Sequence, residues 1–182
     1  ALAVGSRGVA LIADITKAVA SEVRKLGAEP FIVPAMGSHG GATAEGQKEV
    51  LEQLGVTEKY VGCKIRSSME VYDIGSFKID ETSDEVHVYF DKNAMDSDGV
   101  IPIVRVKPHT CFRAPIESGL CKMLTIGLGK QKGANACHQR TFKYMYEMIT
   151  KSARIKIETG KILFGVASVE NAYDKVYTIQ VV

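Results

Sequence analysis

The opening thirty-odd residues constrain the fold most. Leu2 to Val4 is a short apolar segment, ended by Gly5-Ser6-Arg7-Gly8. Ile12, Ile15, Val19, Val23 and Leu26 then recur at spacings of 3, 4, 4 and 3, one face of a helix that Gly27 closes as a C′ glycine. Phe31-Ile32-Val33 follows Pro30 and reads as a short buried strand. A strand, a helix and a strand in so short a stretch form a βαβ unit. Its crossover makes the two strands parallel neighbours.

The rest of the chain continues that alternation. The spacing predicts a helix over 44–54, stopped by Gly55, and strands over 70–74 and 86–90, with turns at Gly75 and over 80–84. Val100 to Val106 reads as a buried strand, and Pro102 inside it predicts an edge position or a bulge. A helix is expected over 117–126, with Gly127, Gly129 and Gly133 breaking the pattern. A longer helix is expected over 134–153, where His138, Phe142, Met145 and Ile149 share a face. Strands over 161–168 and 176–182 complete an α/β fold, a Rossmann-like, largely parallel sheet flanked by helices, in one domain over 1–182.

Composition removes several function classes. The 182 residues suit one domain with a sizeable core, and 46% hydrophobic with 24% charged residues excludes a disordered or fibrous chain. Lys and Arg (23) nearly balance Asp and Glu (21), so charge demands neither nucleic acid nor membrane. Trp is absent and aromatics are 7%, which disfavours a base-stacking platform. No apolar run approaches the roughly 18 residues of a membrane span, and no basic segment leads into an apolar one as in a signal peptide. Cys63, Cys111, Cys121 and Cys137 include no C-x-x-C and read as free thiols of a cytoplasmic protein, Cys63 as a small buried hydrophobe. Ala1 already lies in a strand, as expected of a piece of a longer protein.

Ligands in open parallel sheets bind beyond the carboxyl ends of the strands. Arg7, His39 and His109 each follow an apolar strand, so one sheet edge is expected to carry all three. Around His39, Gly37, Gly40 and Gly41 serve either the turn alone or an anion cradled by backbone N–H groups. The run S-H-G-G-A-T matches neither a Walker A loop nor G-x-G-x-x-G. His138, on an apolar helix face, reads by itself as a core histidine, His87 as the outward face of a strand, and Lys122 by itself as a solvated lysine. The segment G-L-G-K-Q-K-G at 127–133 is a further candidate phosphate contact.

Five motifs in order, S-R-G at 6–8, P-A-M-G-S-H-G-G-A-T at 34–43, K-P-H-T at 107–110, S-G-L-C-K-M at 118–123 and G-A-N-A-C-H at 133–138, resemble the N-terminal domain of the nickel-pincer lactate racemase family. The resemblance runs from Gly5 to about His138. It implies a two-domain isomerase, its C-terminal domain outside this chain, that racemises or epimerises 2-hydroxy acids by reversible hydride transfer. The implied cofactor is a nickel-pincer nucleotide, nickel on a modified nicotinic acid mononucleotide, attached covalently at Lys122 through a thioamide. His138 then matches the nickel ligand, His39 and His109 the acid/bases for the two substrate faces, and Arg7 the group near the substrate oxygen. Gly40, Gly41, Thr43, Ser118 and Gly119 are the further expected cofactor contacts. Imidazole suits both proton transfer near neutrality and nickel.

The chain departs from the family pattern at two places. Val4-Gly5-Ser6-Arg7-Gly8 replaces an acidic residue and a Thr-Arg-Pro context, and 112–119 is longer than the family's G-F-S-G-G-like run and carries Arg113 and Glu117. Both changes touch the substrate side and leave open a 2-hydroxy acid other than lactate. A non-catalytic domain that binds a nucleotide-like ligand is the competing reading. A metal hydrolase lacks its H-x-x-x-H or carboxylate–histidine pair.

Overall fold

The structure, a computed structural model, describes residues 1–6, 8–139 and 142–182. Strands β1 (Leu2–Val4) and β2 (Ile32–Pro34) flank helix α1 (Ile12–Lys25), the expected βαβ unit. Then come α2 (Ala44–Gln53), α3 (Glu58–Val61), β3 (Val71–Phe77), β4 (Val86–Asp91), α4 (Lys92–Met95) and β5 (Ile101–Val106). The last part holds α5 (Leu120–Lys122), a π turn (Met123–Gly127), α6 (Lys130–His138), a 3₁₀ turn (Phe142–Tyr144), α7 (Met145–Glu158), β6 (Val166–Glu170) and β7 (Val176–Val181). Among the described residues one sheet has the order β2-β1-β5-β6-β7, and β3-β4 forms a separate antiparallel hairpin. Strands β2, β1, β5 and β6 run parallel, and β7 returns antiparallel to β6.

Alternate strand residues feed two cores, as the two-residue strand period requires. Leu2, Val4, Ile32 and Ile103 pack with Ile12, Ile15 and Leu51 from α1 and α2. Ala3 and Val33 point the other way, onto Phe90, Leu124, Leu128 and Ala153. The hairpin lies against α6 and α7, with Val86 beside Cys137, Met145, Met148 and Ile149. All four cysteines are free, Cys63 and Cys137 buried. No helix among the described residues is long and apolar enough to cross a membrane.

Several local expectations change. Pro102 lies in β5, which sits between β1 and β6 rather than at an edge. Ile101 N–H donates to Ala1 on the β1 side, so the nitrogen of Pro102 faces β6. There it falls between the bridge Val100↔Ile162 and the ladder that starts at Ile103↔Val166, where no donor is required. Gly75 is no turn; it lies inside β3 at φ 140, where the register with β4 shifts. The helix expected over 134–153 is two helices. Met145 and Ile149 are buried, whereas His138 and Phe142 are exposed, so the periodic set spans a break. Gly129 and Gly133 do not stop α6; a Cβ there would come within 2.3 and 3.0 Å of the Thr125 carbonyl oxygen, so they admit the π turn at close range.

Candidate functional site

Because β2, β1 and β5 are parallel neighbours, the loops after Pro34, Val4 and Val106 leave the sheet at one edge. A cleft of about 550 Å³ opens there. His39, His109, Lys122, His138, Ser118 and Gly119 all line it. That volume lies in the range of small-molecule and cofactor sites.

His39 is set by the loop that leads into α2. Its Nδ1 lies 2.5 Å from Ser6 Oγ, which links the loops after β2 and β1. Behind it, fully buried Gln47 donates through Nε2 to the carbonyl oxygens of Gly37 (2.8 Å) and His39 (3.2 Å). The Gln47 carbonyl accepts from Lys130 Nζ at 2.9 Å, and Lys130 Nζ is 3.1 Å from Asp91 Oδ2. Burial pushes Lys130 down and Asp91 up, and the two facing charges oppose both shifts. Lys130 thus anchors the His39 loop from inside the core instead of offering a phosphate contact to the cleft.

Gly40 sits at φ 64, and a Cβ there would meet the Gly46 carbonyl carbon at 2.5 Å. Thr43 Oγ1 caps α2, accepting from Gly46 N–H at 3.0 Å. Gly40, Gly41 and Thr43 are absent from the cleft lining; the glycines shape the turn, and the wall on this side is Ser38 and His39. These three expected cofactor contacts thus lie outside the cleft lining. Arg7 lies outside the described residues.

His109 stands in a loop that the chain ties to itself. Glu117 Oε2 accepts the His109 backbone N–H (2.7 Å) and Oε1 accepts that of Ala114 (3.0 Å). These two bonds, that from His109 the stronger, hold the Glu117 carboxyl below the usual carboxylate range. Ser118 Oγ accepts Lys107 N–H at 3.0 Å and donates to the Lys107 carbonyl. With both side chains committed to the loop and Gly119 at φ 73, the helix starts at Leu120, not at Glu117 as expected.

Lys122 ends α5 where the backbone widens into the π turn, marked by Leu128 N–H donating to the Met123 carbonyl at 2.9 Å. π turns are frequent at functional sites. Fully buried Lys156 supports it from α7, donating to the carbonyls of Leu124 and Thr125 (3.4 Å). Burial pushes the Lys156 ammonium down to about 7. His138 is exposed at the last residue of α6, in the cleft and not in the core. Burial pushes the neighbouring Cys137 thiol up to about 11, with the Lys156 and Lys122 ammonium groups acting against it.

Sequence reasoning missed part of the wall. Arg105 and Glu170 line the cleft, paired at 2.9 Å, with Asp174 also 2.9 Å from the guanidinium. An arginine inside the apolar run V-I-P-I-V-R-V was the available signal, since a charge in a buried strand needs a partner. Nothing local pointed to Gln47 or Ser6. Among the described residues no three His, Cys, Asp or Glu side chains converge as a metal-binding group.

No protein-family model matches the chain, and no curated protein matches it in sequence. Among solved structures, the lactate racemase apoprotein from Thermoanaerobacterium thermosaccharolyticum is similar, with a TM-score of 0.65 and 17% sequence identity over 99% of this chain. The chain spans 45% of the length of that racemase. At this identity the likeness establishes a shared α/β architecture, a lactate racemase-like fold.

Proposed function

We propose that this chain is the cofactor-binding half of a racemase or epimerase of 2-hydroxy acids, working with a second domain and a nickel-pincer nucleotide. The observation that carries the reading is the cleft itself: two histidines from separate strand-end loops share it with a lysine and a third histidine. The fold it shares with a lactate racemase supports the same reading.

The residues present fit that cofactor. Lys122 brings a primary amine to the cleft, and His138 brings an imidazole, a suitable nickel ligand, from the neighbouring helix. His138 lies at the C-terminal end of α6, where the helix dipole favours a cation. In this reading His138 would hold the nickel from the protein side, and the pincer nucleotide would supply the other donors. When bound, this cofactor supplies a reversible acceptor for the hydrogen on the substrate's C2.

The chain's own part is proton transfer and orientation. His39 and His109 come from loops on either side of the β1 loop. A hydroxy acid held over the end of β1 therefore has an imidazole on each side. One takes the hydroxyl proton as the keto acid forms; the other returns a proton after the keto acid has turned over. Arg7, which follows β1, is assigned to the substrate oxygens.

The test is intact mass and elemental analysis of the full-length protein, produced together with the enzymes that build the cofactor. A cofactor-sized adduct lost in Lys122→Ala, with nickel reduced in His138→Ala, is the expected result. An unmodified wild-type protein under those conditions, or an adduct that survives Lys122→Ala, overturns the assignment.

A further inference from the structure

His39 and His109 are not held alike. His39 Nδ1 faces the Ser6 hydroxyl, 2.5 Å away. A hydroxyl both donates and accepts, so a turn of one rotor serves either tautomer of His39. At His109 the partner of Nδ1 is the backbone N–H of Cys111, at 3.1 Å. An amide N–H only donates, so Nδ1 must carry the lone pair and the neutral ring holds its proton on Nε2.

The segment that presents this N–H is built for the purpose. Glu117, its side chain 14% exposed, grips the loop at His109 N–H and Ala114 N–H, on either side of Cys111. Arg113 donates to the carbonyls of His109 and Phe112 (3.0 Å), closing the same turn. Phe112 lies 4.5 Å from the imidazole, centroid to centroid, and limits its rotation. Arg113 and Glu117 are the residues by which this loop departs from the racemase pattern.

We propose that Glu117 is a positioning residue that locks neutral His109 in the Nε2–H tautomer, making His109 the resting hydrogen-bond donor of the cleft and His39 the resting base. The claim about roles rests on the two-histidine reading of the site; the claim about the tautomer does not. For His109 to accept a proton at Nε2 its ring proton must first move to Nδ1, where it faces the Cys111 N–H and that hydrogen bond is lost. For His39 the corresponding change is met by the Ser6 hydroxyl. The clamp thus gives the two enantiomers unequal paths through one cleft.

The experiment is long-range ¹H–¹⁵N correlation of the imidazoles in the full-length, cofactor-free protein at a pH where His109 is neutral. The expected wild-type result is one tautomer at His109, with Nδ1 unprotonated. In Glu117→Gln, which keeps a single acceptor oxygen, the preference should fall by about tenfold, the order set by one lost hydrogen bond, and both tautomers should appear. Glu117→Asp, a carboxylate too short to span both N–H groups, should fall between them. A protonated Nδ1 in the wild type, or a His109 spectrum unchanged in Glu117→Gln, overturns the proposal. A locked tautomer in a protein that never takes up cofactor would instead overturn the function and leave the clamp standing.

Discussion

Lys130→Met is the sharpest test of how this site is supported. Lys130 and Asp91 have fully buried side chains 3.1 Å apart. The lysine also donates to Gln47 and to the Pro34 carbonyl, so one ammonium joins α6, β4, α2 and the end of β2. It holds this place at φ 52, a left-handed conformation unfavourable for a lysine. Met fills a similar volume and leaves Asp91 without its counter-charge. Removing one partner of a buried pair costs about 3–5 kcal/mol. Lys130→Met with Asp91→Leu removes the stranded charge, and the pair together should cost about 2 kcal/mol or more less than the single change. Urea unfolding measures both, read at equal m-values. The pH dependence carries its own sign. Burial already raises Asp91, and loss of Lys130 raises it further, so its folded pKa lies above the unfolded value. Stability is then kept at low pH and lost as pH rises through the folded pKa, so the deficit of the single variant should shrink on acidification. A loss under about 1 kcal/mol in Lys130→Met, or simple additivity with Asp91→Leu, would refute the anchoring argument.

Gly40→Ala should lower Tm by roughly 4–10 °C, because the new Cβ meets the Gly46 backbone at 2.5 Å and φ is 64; calorimetry checks it. Lys156 sits at about 7 when folded, below the unfolded value near 10.4, so the unfolded chain binds more protons between them and wild-type stability should rise with pH across that window. Lys156→Met should abolish that slope, its stability relative to wild type being most favourable below about pH 7, as urea titrations at several pH values would show. In the cofactor-loaded enzyme, His39→Gln and His109→Gln should each slow interconversion on the order of 10²–10⁴-fold in both directions. Each variant should still give a spectral change with one pure enantiomer, the opposite one in each case; equal responses to both would refute the face-specific pair.

What could be read from the sequence was what is written locally. The βαβ opening follows from a helical period capped by Gly27 between two apolar segments, and it fixed the parallel start of the sheet. From that start, placing His39 and His109 at one edge needed only that β5 join the same sheet in parallel. The missed features depend on distant partners. Pro102 looked like an edge residue because the gap in β6 opposite it lies sixty residues on. Gly129 and Gly133 looked like helix breakers because the π turn they admit is a tertiary feature. Lys130 looked like a phosphate contact because a lysine among glycines gives no sign of Asp91.

The same distinction orders the residues of the site. Those that resemble the racemase motifs, His39, His109, Lys122 and His138, all reach the cleft, whereas Gly40 and Thr43 from the same motifs turn to the helix behind it. Both sets are needed. A histidine at the end of a strand is fixed only if the chain after it is fixed, and this chain does that twice with different means. Behind His39 a buried lysine and glutamine hold the loop from the core. Behind His109 a carboxylate and an arginine within the loop hold it from the surface. The His39 loop should therefore loosen only when the core does, and the His109 loop should loosen when Glu117 is protonated. Because its bonds to the His109 and Ala114 N–H groups lower the folded pKa of Glu117, that contribution is present above the unfolded value and fades as pH falls through the folded one. Amide hydrogen exchange at Ala114, whose N–H is bound by Glu117 itself, compared with exchange at Gly37, should then rise on acidification beyond the intrinsic change, and parallel behaviour of the two sites would count against separate supports.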